Sequence, residues 1–95
     1  MSAYVVVEVE ILDAAAFDRY RVMVPPTVEA YGGRYLARGG RTEVLEGDWS
    51  PPRLVVLEFP SLERARAWLS SPEYAPAKAI RKDAARFKMV AVEGV

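Results

Sequence analysis

The 95-residue sequence contains no cysteine and no histidine. Lack of cysteine excludes disulfides, a thiolate nucleophile and sulfur-ligated metal sites. Lack of histidine removes the usual general base near neutral pH and the commonest ligand for a metal or a haem iron. No apolar run is long enough to span a bilayer as a helix. An excess of either charge is also missing: thirteen basic residues balance thirteen acidic ones, for a formal net charge of zero. That balance argues against nucleic acid or an anionic membrane as partner and favours self-association. Met1 to Val7 lack a basic n-region, so no signal peptide is expected and the cytoplasm is the default compartment.

The apolar fraction of 52% suffices for one compact core, and the length suits a single domain over residues 1–95. Residues 3–11 alternate as a strand, with Ala3, Val5, Val7, Val9 and Ile11 on one face. Tyr4, Val6, Glu8 and Glu10 form its mixed face. Asp13 offers an N-cap, and Leu12 with Phe17 has the spacing of a hydrophobic staple. Phe17, Tyr20, Val24, Val28 and Tyr31 then make one helical stripe. Pro25-Pro26 predicts a kink or restart, and Gly32-Gly33 a left-handed end.

Residues 34–38 predict a second strand. Residues 42–46 either extend it past a bulge or make a short strand of their own. A loop over 47–52 leads to the strand at 53–59, the most apolar and so placed centrally. Ser61 caps a second helix with Leu62, Ala65, Trp68 and Leu69 on one face. Ser71-Pro72-Glu73 opens another helix, carrying Tyr74, Ala77, Ile80 and Ala84, and residues 86–93 form the last strand. The order βαββαβ is the α+β, ferredoxin-like plan, an antiparallel sheet with its helices on one face.

Helices on one face leave the other face open. Alternation puts Tyr4, Val6, Glu8 and Glu10 there, with Arg34, Leu36 and Arg38 from the second strand. Leu54, Val56 and Glu58 join them from the third, and Lys88, Val90 and Val92 from the fourth. Such a mixture of aliphatic residues with arginine and glutamate is unusual for a monomer and points to sheet-on-sheet pairing in a homodimer.

The stretch Tyr31-Gly-Gly-Arg-Tyr-Leu-Ala-Arg-Gly-Gly40, followed by Glu43-Val-Leu-Glu-Gly-Asp-Trp49, resembles the domain-of-unknown-function 1330 family. Leu57-Glu-Phe-Pro-Ser61 and Ser71-Pro-Glu-Tyr74 extend the resemblance over nearly the whole chain. It implies a dimeric α/β barrel, a group that includes cofactor-free antibiotic monooxygenases, muconolactone isomerases and haem-binding chlorite-dismutase-like enzymes. The family's own activity is not established.

Arg38 and Glu58 are the first candidates for chemistry, because alternation puts both on the mixed face. The arginine fork can hold a carboxylate or enolate, and a shielded carboxylate can act as a general base. The competing interpretation is an ion pair that satisfies itself at the dimer seam. Trp49 is a candidate aromatic lid or a plug for the barrel end, and Tyr4 either a phenol in the pocket or a packing aromatic. No serine has a histidine to activate it, and Glu46 with Asp48 fits a solvated turn better than a metal site. The strand at 53–59 lacks the aromatic pattern of RNA-recognition modules. The expectation is a homodimer with no metal and no cofactor, whose barrel cavity binds a small, partly apolar or anionic molecule. Tyr4, Arg38, Trp49 and Glu58 are the expected ligand-binding residues. Turnover, if present, would be cofactor-free isomerase or oxygenase chemistry, with Glu58 as base and Arg38 as anion clamp. The alternative is a non-catalytic binding or structural dimer with a filled barrel.

Overall fold

A computed structural model describes all of residues 1–95. Strands β1 (Ala3–Ile11), β2 (Arg34–Arg38), β3 (Leu54–Phe59) and β4 (Ala85–Glu93) form one antiparallel sheet of order β2-β3-β1-β4. Helices α1 (Ala14–Ala30), α2 (Leu62–Leu69) and α3 (Ala75–Ala84) cover one face. The two most apolar strands, β1 and β3, take the inner positions because only there are both their edges paired. The dry side of β1 is buried as its alternation requires, with Val5, Val7 and Val9 at 3% exposure or less. No helix is long and apolar enough to cross a membrane.

Local signals fix the helix ends. Asp13 accepts a hydrogen bond from the Ala16 amide at 3.2 Å, and Ser61 accepts one from the Arg64 amide at 3.1 Å. At the end of α1, Gly32 adopts φ +76°, and the Gly32 and Gly33 amides return to the Glu29 and Val28 carbonyls. This is a Schellman end, which needs a residue free of left-handed strain.

Three sequence expectations change. First, α1 runs unbroken through Pro25-Pro26. Burial of Phe17, Tyr20, Val24 and Val28 against the sheet outweighs the lost helical bonds. Without amide hydrogens, the two prolines leave the Arg21 and Val22 carbonyls without intrahelical donors. Second, residues 42–46 form no strand but belong to an irregular arm between β2 and β3. Its Leu45 is 89% exposed. Third, α3 begins at Ala75. Ser71 closes a preceding turn instead: it accepts from the Tyr74 amide at 3.1 Å and donates to the Trp68 carbonyl at 2.7 Å.

Trp68 and Tyr74 lie at the centre of the core, with ring centroids 4.4 Å apart, and Phe59 lies 5.4 Å beyond Trp68. The Trp68 indole donates to Thr27 Oγ1 at 3.0 Å, and that hydroxyl donates to the Val24 carbonyl at 2.7 Å. These bonds tie α2 to α1 and satisfy each buried polar atom they involve.

Candidate functional site

A β-bulge decides which way the predicted site residues face. Arg34 pairs with Glu58 and Tyr35 with Leu57, but Ala37 pairs with Val56 and Arg38 with Val55. Leu36 is the extra residue, so the alternation of β2 reverses after it. Arg38 therefore lies on the helix side of the sheet, while Glu58 stays on the open face. The expected Arg38–Glu58 pair does not form.

Glu58 instead accepts a charge-assisted bond from Arg34 Nε at 2.7 Å. That bond first, then contributions from Ser2, the Arg34 charge and Tyr4, holds the Glu58 carboxyl below its ordinary value. Such a group favours a structural anion over a general base. Because the folded carboxyl is the stronger acid, the ion pair stabilises the fold above the unfolded carboxylate range. Its contribution fades as pH falls through the folded value. Glu58→Gln is therefore expected to lower stability at pH 7 and to leave acid unfolding less steep between neutral pH and pH ~4. Urea unfolding at pH 7 and at acid pH checks this, and an equal loss at both would count against it.

Tyr4 lies opposite Glu58 on the neighbouring strand and packs its ring over Gly94. Trp49 folds onto the open face, its indole nitrogen donating to Glu8 Oε1 at 2.5 Å, and it remains 58% exposed. Glu8 and Tyr4 are four residues apart on β1, ~13 Å along the strand. Tyr4 and Glu58 thus sit side by side on the open face, Trp49 lies apart from them at Glu8, and Arg38 lies on the opposite face. The open face carries two shallow grooves beside Trp49, of about 320 and 290 Å³.

The more enclosed cavity lies on the helix side, between α1 and the sheet. Its walls come from Val7, Val9, Phe17, Tyr20, Val24 and Leu57, with Trp68 and Phe87 among other aromatic neighbours. Water centres have about 30 Å³, room for only two or so molecules. Tyr20 presents a neutral phenol here, because burial and then Tyr74 push its pKa upward. Its hydroxyl shares a 2.7 Å hydrogen bond with that of Tyr74, which also accepts from Arg81 at 3.0 Å.

Three arginines, Arg21, Arg38 and Arg53, are among the residues lining this pocket, and the charges of Arg21 and Arg38 reach Arg53. The two ion pairs of the molecule, Arg34–Glu58 and Arg86–Glu10, involve none of them. Arg38 donates to the Arg21 carbonyl, the one Pro25 leaves without its helical donor, and stacks over the Tyr35 ring at 4.6 Å. Arg53 lies 5.4 Å over the Phe17 ring, and its buried Nε has no hydrogen-bond partner. Gly39, at φ +73°, makes room for it: a Cβ there would lie 2.3 Å from the Arg53 guanidinium carbon. Sequence reasoning singled out neither Arg21 nor Arg53. The available signals were Pro25 four residues after Arg21 and the diglycine at 39–40, and neither names a partner by itself.

Element order and sheet topology place the chain among ferredoxin-like domains. It belongs to the DUF1330 family, a domain of unknown function, whose match runs over residues 2–95. No curated protein matches the chain. It is similar to the solved structure of a protein of unknown function from Rhodopseudomonas palustris, with TM-score 0.78 and 19% identity over 99% of this chain and 82% of that one. A dimeric ferredoxin-like protein of unknown function from Jannaschia sp. CCS1 gives TM-score 0.70 and 16% identity, covering 99% and 100%. SnoaB, a cofactor-independent oxygenase from Streptomyces nogalater, gives 0.68 and 10%, covering 99% and 93%.

Proposed function

We propose that the chain works as a homodimer that apposes two open sheet faces, with a small, partly apolar or anionic molecule bound in each protomer's helix-side pocket. The observation that carries the binding half is the apolar cavity whose mouth holds arginines and no paired carboxylate. Few polar groups set in an apolar cavity is the usual composition of a small-molecule site. The dimer half is supported by surface area. The chain exposes 6207 Å², whereas a folded monomer of 10.6 kDa is expected to expose about 5,500 Å². Relatives of the same fold include a protein described as dimeric.

For turnover, cofactor-free oxygenase or isomerase chemistry fits best, by analogy with the fold of SnoaB alone. Arg38 keeps its proposed role as an anion ligand, now at the helix-side mouth. Tyr4, Trp49 and Glu58 are assigned to the barrel between the apposed sheets. A non-catalytic dimer is the second interpretation, favoured by the small space the cavity leaves for water. Native mass spectrometry of gently purified protein separates the two. A dimer carrying extra mass up to one small molecule per protomer is expected. An empty dimer that takes up no small apolar acid would favour the structural role, and a monomer would overturn the sheet pairing.

A further inference from the structure

We propose that Arg21, Arg38 and Arg53 form a clamp for the carboxylate of a monoanionic ligand whose ring or branched apolar body enters the pocket. This deepens the binding function proposed above and rests on it. Arg21, Arg38 and Arg53 line one pocket with no ion-paired acid, and the charges of the first two act against that of Arg53. A chain of zero net charge has acids to spare. The strongest observation is the Arg53 Nε–H, buried and unpartnered in a protein whose other buried side-chain polar atoms are satisfied. Desolvation first, and then the charges of Arg21 and Arg38, disfavour the Arg53 cation as the molecule stands. A bound anion would relieve both penalties.

The geometry also separates anion classes. Arg38 is fixed in advance by the Arg21 carbonyl and the Tyr35 ring, and Arg53 by Phe17 and the space over Gly39. The Nε edge of a guanidinium matches the two oxygens of a planar carboxylate. Only Arg53 is sheltered, which suits one negative charge, and the walls behind it are apolar, which suits a body joined directly to the anion. Pre-positioned side chains cost little further ordering on binding.

Benzoate, its neutral counterpart benzamide and inorganic phosphate serve as probes, titrated into the full-length protein by calorimetry. The Arg53 Nε–Hε resonance is followed in parallel by NMR. Benzoate is expected to bind at least tenfold more tightly than benzamide and to shift that resonance. Arg53→Gln should abolish the preference, Arg53→Lys should keep part of it, and Arg34→Gln, on the other face, should leave it intact. Should Arg53→Gln fail to fold, the wild-type preference and the resonance still decide. Equal binding of benzoate and benzamide would overturn the clamp while sparing the pocket. Binding of neither would overturn both. Phosphate matching benzoate would overturn the carboxylate assignment.

Discussion

Trp68→Ala is expected to destabilise the fold by about 3–5 kcal/mol, the range for removing a large aromatic from a packed core. Trp68 is 2% exposed and touches the aromatic cluster on two sides, Phe59 at 5.4 Å and Tyr74 at 4.4 Å. The substitution opens a cavity between α2 and β3 and removes the indole donor to Thr27. Thr27 keeps its bond to the Val24 carbonyl, so the loss is mainly one of packing. Small domains have total stabilities of about 5–15 kcal/mol, so the variant would sit near the threshold of folding. Urea unfolding followed by circular dichroism should show a much lower midpoint with an unchanged slope. A loss under about 1 kcal/mol would mean that this cluster is not the centre of the core. Trp68→Phe, which keeps a ring, should lose less than half as much.

The second large effect concerns association. Val6 lies at the middle of the open face, opposite Val56 on one neighbouring strand and Val90 on the other. Val90 and Val92 are 63% and 55% exposed, a patch that apposition of two sheets would cover. Val6→Lys would place a charge at the centre of that interface, opposite its two-fold mate if the dimer is symmetric. Uncompensated burial of a charge costs about 3 kcal/mol or more, so the dimer should weaken at least ~100-fold. Light scattering after size exclusion should then give a monomer at micromolar concentration. Val6 points away from the helices, so far-ultraviolet circular dichroism should stay native in shape. A variant that remains dimeric would exclude pairing through this face.

Element identity was legible because it depends on neighbours in sequence. The alternation of residues 3–11 and the stripe Phe17, Tyr20, Val24 and Val28 needed only period and polarity. The caps Asp13 and Ser61 act within three residues of themselves, and both hold in the structure. Failures came where a local preference met burial. Pro25-Pro26 is a helix breaker in isolation, but the stripe around it is anchored to a sheet built largely from distant residues. Residues 42–46 have strand-like composition, yet no partner strand lies beside them, and an unpaired edge gains no ladder.

The site was less legible for a related reason. One extra residue, Leu36, reverses the facing of Arg38, and nothing in Arg34-Tyr-Leu-Ala-Arg38 marks where a bulge must fall. The sequence by itself determined the order of elements, their caps, the absence of histidine and thiol chemistry, and an apolar patch on the uncovered side. The tertiary structure alone decided that Arg34 rather than Arg38 meets Glu58, and that Arg21, Arg38 and Arg53 meet at one pocket. Those pairings join residues 15 to 32 positions apart in the chain. Their meeting depends on strand register and helix placement, which are set by burial of the whole core rather than by any local spacing.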